Sequence, residues 1–297
     1  MLKHLPGPLS AVILLLYLIA NTVFWAGLIY LLIPVKWLTR GRVRDAVSHA
    51  MARLGQTWAE INTIVGDFLL GTEWDIRGTE VLKPDGQYLV CCNHQTWNDI
   101  YVLMKTFGLR APFFKFFLKQ QLIWVPVLGL AWWGLDFPFM KRYTREQIEK
   151  NPELKGKDLE STRIACQRYA HQPVTILNFL EGTRFTSAKH AQQQSPYTHL
   201  LKPKAGGFAF VVGVMGAKLN SLLDVTIVYP GGAQGFWAFA AGKMKRVSVE
   251  VRRLEIPAEF FRGDYENDPA FRKRFQDWVA VLWADKDRLI TEMLARA

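Results

Sequence analysis

The feature that most constrains this chain is an uncharged stretch near its N-terminus. No charged residue occurs between Leu5 and Val35. About 20 apolar residues suffice to cross the hydrocarbon core of a bilayer, so the stretch predicts a membrane anchor. Asn21 and Thr22 interrupt it near its middle, which leaves two arrangements open: one tilted spanning helix, or a re-entrant helical hairpin. A secretory signal has a shorter apolar region of about 7–15 residues, so we expect the anchor to be retained.

Basic residues lie mainly on the C-terminal side of this stretch. Lys3 and His4 precede it. The cations that follow it are Lys36, Arg40, Arg42 and Arg44. This asymmetry predicts that the rest of the chain lies on the cytoplasmic side of the membrane. The 297 residues carry a formal net charge of +11, which suits contact with anionic lipid headgroups.

Composition excludes several other classes of protein. Hydrophobic residues make up 50% of the chain and charged residues 21%, so it can bury a large core and is not intrinsically disordered. The cysteines are Cys91, Cys92 and Cys166. Their odd number and their spacing exclude a disulfide scaffold, and they favour a reducing compartment.

Downstream of Gly71, apolar runs typical of strands alternate with helical periodicities. The strand patterns are at residues 87–92, 173–180, 223–229 and 246–253. The helical patterns are at residues 99–106, 157–170 and 205–219, and from Asp268–Pro269 onward. This alternation predicts an α/β fold with a central, mostly parallel sheet flanked by helices.

The same patterns divide the chain into three parts. Residues 1–44 form the predicted anchor, residues 45–71 an amphipathic connecting helix, and residues 72–297 the α/β domain. Within that domain, residues 188–201 are rich in polar side chains, which is typical of a surface loop or of a lid over a site.

A histidine and an aspartate follow the first predicted central strand. His94 comes just after residues 87–92, and Asp99 stands five residues later, at the start of the next predicted helix. A carboxylate there can hydrogen-bond one imidazole nitrogen and leave the other free as a general base. The alternative is structural: Asp99 would be the N-cap or a first-turn acid of the helix, and His94 would be a loop histidine with its hydrogen bonds satisfied.

A second charged group follows the strand pattern at residues 173–180. It is Glu181-Gly182-Thr183-Arg184. The guanidinium of Arg184 offers a bidentate fork for phosphate, and Glu181 could orient it or a substrate hydroxyl. Two further basic clusters contain Lys141, Arg142, Lys202 and Lys204. Each cluster taken singly also fits an ordinary solvated surface.

Together these residues form four motifs. They are Asn93-His94-x4-Asp99, Phe139-x-x-Arg142, Glu181-Gly182-Thr183-Arg184 and a late strand ending in Pro230. In order and approximate spacing, over about residues 75–255, they resemble the glycerophospholipid acyltransferases. The resemblance is greatest to the 1-acylglycerol-3-phosphate (lysophosphatidate) acyltransferases and their YihG-like bacterial inner-membrane branch. Lys119 lies in a segment similar to the one between the family's first two motifs, whereas Gly231 and Gly232 after Pro230 depart from the fourth.

The resemblance implies a reaction. His94, oriented by Asp99, would deprotonate the free hydroxyl of a lysophospholipid, which then attacks an acyl thioester. Lysophosphatidic acid would be the leading acceptor, giving phosphatidic acid, and acyl-CoA or acyl-carrier protein would be the donor. The residues implied at the acceptor phosphate are Lys141, Arg142, Glu181, Gly182, Thr183, Arg184 and Lys204. No cofactor, metal or nucleic acid is expected, and the catalytic domain would face the cytoplasm at the inner membrane.

Three alternatives remain. The acceptor could carry another headgroup, as in phospholipid remodelling. The His–Asp pair could act on water in a thioesterase or lipase-type hydrolase, although the chain has no G-x-S-x-G nucleophile motif. The chain could also be a non-catalytic, basic membrane-surface or RNA-binding protein that acts through its net charge.

Overall fold

A computed structural model describes residues 6–140, 150–151, 163–164, 166–167, 169, 172–219 and 221–296. Its helices are α1 (Gly7–Leu38), α2 (Gly41–Leu70), α3 (Asp99–Phe107), α4 (Leu128–Gly134), α5 (Ser187–Gln193), α6 (Ala205–Met215), α7 (Phe236–Ala240) and α8 (Pro269–Ala295). Its strands are β1 (Glu73–Arg77), β2 (Gln87–Cys92), β3 (Phe114–Phe116), β4 (Leu118–Lys119), β5 (Phe139–Met140), β6 (Val174–Phe179), β7 (Ser221–Val228) and β8 (Arg246–Leu254).

Six of these strands form the central sheet, in the order β1-β8-β7-β2-β6-β3. Only β7 and β8 pair antiparallel; the other neighbours are parallel. Every residue of β7 is buried, as expected for a central strand covered on both faces. The predicted α/β fold with a mostly parallel sheet is confirmed. Because β2, β6 and β7 run in the same direction, the chain leaves all three at the same edge.

Helices cover both faces of the sheet. Side chains of β2 alternate between the two layers, as the two-residue period of a strand requires. Leu89 and Cys91 pack with α6 and α8. Tyr88, Val90 and Cys92 pack with α1, α3 and α7 on the other face. The sheet is therefore the middle layer of three.

The N-terminal stretch is one continuous helix, so the predicted alternative of a re-entrant hairpin is wrong. The two polar residues at its middle bond to α2 instead of breaking the helix. The amide nitrogen of Asn21 donates to the side-chain oxygen of Asn62 at 2.8 Å, and the indole of Trp58 donates to the hydroxyl of Thr22 at 3.2 Å. Helix α2 begins at Gly41, four residues earlier than predicted.

Both ends of α1 contact the α/β domain. Near its start, Ala11 and Leu14 pack with Phe239 of α7. Near its end, the ammonium of Lys36 donates to the carbonyl of Gly134 at 2.7 Å. A helix of 32 residues is about 48 Å long, so α1 lies along the domain over its length. The face of α1 that does not contact the domain is exposed and apolar. Leu16, Val23 and Leu31 lie on it.

Two local predictions in the C-terminal part have clear outcomes. Asp268 caps α8 as predicted, accepting hydrogen bonds from the backbone of Ala270 and Phe271. Residues 188–201 are partly helical, in α5, and the rest is fastened to α8, because the backbone N–H groups of Thr198 and His199 both donate to Asp287. Most of the predicted helix at 157–170 lies outside the described residues.

A buried group of charges joins α8 to the sheet. The ammonium of Lys286 is completely buried and lies 2.5 Å from the carboxylate of Asp224 on β7. The guanidinium of Arg252 on β8 lies 2.6 Å from the other carboxylate oxygen. One carboxylate therefore links two strands and a helix.

Candidate active site

His94 and Asp99 meet at the edge where β2 ends. The imidazole Nδ1 of His94 lies 2.7 Å from Oδ2 of Asp99. The side chain of His94 is 15% exposed, while that of Asp99 is fully buried. Oδ2 of Asp99 also accepts from the backbone N–H groups of Gln95 at 2.6 Å and Thr96 at 3.0 Å. The carboxylate thus bonds back into the loop that carries His94. Asp99 does not cap α3, but it lies in the first turn of that helix, as the structural alternative also allowed.

Tyr229, at the end of β7, occupies the other oxygen of Asp99. Its hydroxyl donates to Oδ1 at 2.6 Å, and the contact is buried. Burial, together with the charge of Asp99, raises the pKa of Tyr229 well above its usual value, so the hydroxyl stays a donor. No role was predicted for Tyr229 from the sequence. The available signal was its position directly before Pro230, at the end of the last motif strand.

The chain after β6 holds the backbone of His94 on both sides. The N–H of His94 donates to Oε1 of Glu181 at 2.7 Å. Its carbonyl accepts from the N–H of Phe185 at 2.7 Å. The ring of Phe179 stacks on the imidazole, with 4.0 Å between centroids. Two motifs about ninety residues apart in the sequence are therefore one structural unit.

Glu181 does not occupy the position that the sequence predicted. Its side chain is fully buried, and its second oxygen accepts from the N–H of Leu201 at 2.9 Å. Burial raises the pKa of Glu181 to about 7. The hydrogen bonds from the two backbone N–H groups lower the pKa and offset this rise only in part. The expectation that Glu181 contacts an acceptor phosphate or hydroxyl is corrected: the carboxylate supports the loop of His94 from inside.

Three cations surround the Gly182-Thr183 turn. The guanidinium of Arg184 stacks on the indole of Trp97 at 4.5 Å from the ring centroid. The ammonium of Lys189 donates to the hydroxyl of Thr183 at 2.7 Å and to the carbonyl of Arg184 at 3.0 Å. Lys204 lies beside Gly182, whose φ of +66° and close approach to Lys204 both favour glycine.

None of these three cations forms a salt bridge within the described part of the chain. Arg184 and Lys204 were predicted at this site. Lys189 and Trp97 were missed, because Lys189 belongs to no motif, Trp97 is one of the unspecified positions between His94 and Asp99, and only the folded turn brings them together. Lys141 and Arg142, predicted to bind the same phosphate, lie outside the described residues, just after β5.

The acyltransferase signature is shared with known proteins. The family model described as Acyltransferase matches residues 73–230, just over half of the chain. This chain belongs to the Acyltransferase family. The matched segment of this acyltransferase contains His94, Asp99, Glu181 and Tyr229, which are the residues that meet at the edge of the sheet. The resemblance read from the sequence is thereby confirmed at the level of the family, and the YihG-like branch stays a prediction.

Individual relatives are more distant. The acyltransferase is 25% identical to the 2-acyl-1-lysophosphatidylinositol acyltransferase of Saccharomyces cerevisiae, over 67% of this chain and 59% of that protein. It is 27% identical to the human 1-acyl-sn-glycerol-3-phosphate acyltransferase gamma, over 68% of this chain and 52% of that protein. The chain thus spans only a little more than half the length of these curated relatives.

A solved structure shares the fold. The crystal structure of the 1-acyl-sn-glycerophosphate (LPA) acyltransferase PlsC from Thermotoga maritima superposes with a TM-score of 0.54 at 17% sequence identity. The match covers 93% of this acyltransferase and 95% of that chain. It therefore extends over the N-terminal helices as well as the α/β domain.

Proposed function

We propose that this acyltransferase moves a fatty acyl group from an acyl thioester to the free hydroxyl of a lysophospholipid, with lysophosphatidic acid as the leading acceptor. The observation that carries the proposal is the 2.7 Å contact between His94 and Asp99, beside three cations without a salt-bridge partner among the described residues. Two relatives are named for lysophosphatidylinositol and 1-acyl-sn-glycerol-3-phosphate, and both of these acceptors carry a phosphate and a free hydroxyl.

The contact between His94 and Asp99 supports a path for the proton. Because Asp99 engages Nδ1, Nε2 of His94 is the nitrogen left to remove the proton of the acceptor hydroxyl. The acceptor oxygen attacks the thioester carbonyl, and the tetrahedral intermediate collapses by breaking the carbon–sulfur bond. The protonated imidazole then returns its proton to the leaving thiolate. Asp99 stays ionised throughout and stabilises the imidazolium. No acyl-enzyme is needed.

The cations give the site its selectivity for a phosphate. A guanidinium that already stacks on an indole loses less freedom when it binds an anion, so Trp97 preorganises Arg184. Lys204 and Lys189 flank the same turn. We propose that these three side chains, with Arg142 and Lys141, hold the phosphate of the acceptor, while Gly182 and Thr183 shape the turn that presents them.

The helix α1 attaches the enzyme to a bilayer. Its length and composition would let it cross a membrane, but both of its ends contact the same α/β domain. We therefore propose that α1 lies along one leaflet, with its exposed apolar face in lipid. The basic residues Arg40, Arg42 and Arg44 then face anionic headgroups, and the site stays on the cytoplasmic side of the inner membrane.

Acyl transfer by the purified chain in lipid tests the proposal. Oleoyl-CoA or oleoyl-acyl-carrier protein is offered with lysophosphatidic acid, with lysophosphatidylinositol, or with monoacylglycerol, which lacks the phosphate. Diacyl product and free fatty acid are measured separately. We expect diacyl product from the phosphorylated acceptors and a loss on the order of 10³-fold or more in His94→Ala. The matched control is His49→Ala, since His49 is an exposed residue of α2.

Each other outcome selects a different function. Free fatty acid formed without an acceptor would identify a hydrolase. Equal rates with lysophosphatidic acid and monoacylglycerol would overturn the phosphate assignment. Absence of any chemistry that depends on His94 would favour a protein that binds membranes or RNA through its charge.

A further inference from the structure

The segment that contains α4 exposes large apolar side chains. Residues 120–135 carry no charge. Trp124 is 85% exposed, Leu130 46% and Trp133 47%. These three residues are called the α4 patch below. Large apolar side chains exposed close together in the sequence favour an interaction site when they cluster on the surface, and the proposed reaction makes no use of these three.

Helix α4 is fastened to α1 at both ends. The hydroxyl of Tyr30 donates to the carbonyl of Val127. Lys36 pairs with Asp136 at 2.5 Å and donates to the carbonyl of Gly134. The domain therefore holds α4 against the C-terminal half of α1.

Both fastening points have unusual backbone conformations. Val127 has φ of +63° and Asp136 has φ of +59°, in a region that non-glycine residues seldom adopt. Val127 is the centre of a three-residue turn, closed by a 2.7 Å hydrogen bond from the N–H of Leu128 to the carbonyl of Pro126, and such turns are strained. Strain of this kind persists where the surrounding structure enforces it, often for function.

Within the α4 patch, Trp133 adjoins the exposed apolar residues at the end of α1. Trp37 and Leu38, at the end of α1, are largely exposed, and Trp37 lines the same surface pocket as Trp133. The neighbouring charges of Lys36 and Asp136 neutralise each other. The chain that follows α1 carries three arginines, at 40, 42 and 44. Tryptophans with cations beside them are typical of the lipid–water interface.

We infer that the α4 patch enters the same lipid leaflet as the exposed face of α1, so that the catalytic domain binds the bilayer through a segment distant in sequence from the N-terminal helix. The inference rests on the proposed attachment of α1 to a membrane. Its occupant is lipid, because Trp133 of the patch adjoins the exposed apolar end of α1 and the neighbouring arginines match anionic headgroups.

Thiol labelling can locate the patch, because the three native cysteines are buried and burial raises their pKa values. Single cysteines are introduced as Trp124→Cys and Leu130→Cys in the patch. Leu16→Cys on α1 reports attachment of that helix. Lys273→Cys, exposed on α8 across the sheet, is the aqueous control. Each labelled full-length chain that keeps the wild-type melting temperature is placed, one per disc, in nanodiscs of phosphatidylethanolamine and phosphatidylglycerol.

Quenching by spin-labelled lipid is compared with quenching by aqueous iodide. We expect the probes at 124 and 130 to lose emission with spin-labelled lipid as the probe at 16 does, and to be protected from iodide relative to the probe at 273. Lipid quenching at 16 without quenching at 124 and 130 would overturn this inference and leave the membrane attachment intact. No lipid quenching at 16 would overturn the attachment itself. Protection of 124 and 130 from both quenchers would show that protein covers the patch.

Discussion

Two buried aspartates on the same sheet have opposite surroundings. Asp224 contacts two permanent cations, Lys286 and Arg252. Burial alone would raise the pKa of Asp224, but these two cations hold it below its usual value. Asp99 is equally buried, yet its partners are a tyrosine hydroxyl, two backbone N–H groups and the imidazole of His94. Only one of these partners, the imidazole, can gain a charge.

This difference separates a structural carboxylate from the one that we propose to be catalytic. Two permanently charged side chains already neutralise the carboxylate of Asp224. Asp224 therefore links β7, β8 and α8 and has a structural role. The charge of Asp99 is held by neutral donors, so it remains available to stabilise an imidazolium when one forms. Burial therefore does not distinguish the two roles, whereas the charge of the hydrogen-bond partners does.

Replacing the catalytic carboxylate should have the largest effect. In Asp99→Asn the amide can hold His94 in the wrong tautomer, as in the serine-protease triad, where the equivalent change costs about 10⁴-fold in kcat. We expect a loss of 10²- to 10⁴-fold in kcat, estimated roughly from that precedent, together with a lower melting temperature, because an amide N–H₂ at the position of Oδ2 faces the backbone N–H groups of Gln95 and Thr96. Steady-state acyl transfer and thermal unfolding measure the two quantities. A kcat within a few fold of the wild type would show that Asp99 has no part in the chemistry.

Replacing the structural carboxylate should affect stability instead. Asp224→Asn leaves the buried ammonium of Lys286 without its counter-charge, which costs about 3–5 kcal/mol in the free energy of unfolding. Denaturant unfolding in detergent gives this value. The double variant Asp224→Asn with Lys286→Met removes both charges and should recover most of the loss. If the double variant is no more stable than the single one, the cost arises from packing and not from the unpaired charge.

Removing the neutral donor to Asp99 should give a smaller effect. Tyr229→Phe deletes one hydrogen bond to a buried carboxylate, a contact that contributes about 1.5–3 kcal/mol. We expect kcat to fall roughly 10-fold, with the KM for the acceptor unchanged, because Tyr229 positions Asp99 and does not contact the acceptor. Tyr88→Phe is the matched control, since Tyr88 is buried at the other end of β2. A change in KM alone would place Tyr229 in acceptor binding.

Local patterns in the sequence were enough for strands β2, β6, β7 and β8, for the capped helix and for one half of the site, but they missed the strands β1, β3, β4 and β5. Residues 88–92 form an uninterrupted apolar run, and β2 has the predicted bounds. His94 and Asp99 are close in sequence, so their spacing alone indicated a contact. The bonds that complete the site are long-range: Tyr229 reaches Asp99 across 130 positions, and no periodicity records which strand ends meet.

The errors have the same physical origin. Glu181 was assigned to the acceptor because it begins the Glu-Gly-Thr-Arg motif, whereas its carboxylate is buried and accepts hydrogen bonds from the backbone N–H groups of His94 and Leu201. Asn21 and Thr22 suggested a break in the first helix, because their hydrogen-bond partners, Asn62 and Trp58, lie on another element. Polar residues in apolar surroundings are interpretable only when their hydrogen-bond partners are known.

Glu181 is a third buried carboxylate to compare with Asp224 and Asp99. Among the described residues, no cation is bonded to it. Its folded-state pKa, about 7, lies above the value of roughly 4.3 for an unfolded glutamate. The folded protein then binds this proton more tightly, so the resulting stability is complete below the lower pKa and is lost as the pH rises through the higher one. We expect Glu181→Gln, whose amide does not ionise, to gain roughly 2–3 kcal/mol relative to the wild type between pH 4.5 and 7.

The pH dependence separates this effect from simple damage to the loop. In Glu181→Gln, the amide N–H₂ also faces one of the two backbone N–H donors. This repulsion lowers the free energy of unfolding of the variant by an amount that does not vary with pH, because neither group ionises. The free energy of unfolding is therefore measured for both proteins at several pH values, with the exposed Glu80→Gln as the control for the substitution itself. A difference between wild type and Glu181→Gln that stays constant from pH 4.5 to 7 would mean that Glu181 is already ionised in the folded protein throughout that range. In that case two backbone donors hold its charge without any bonded cation, as the neutral donors around Asp99 do.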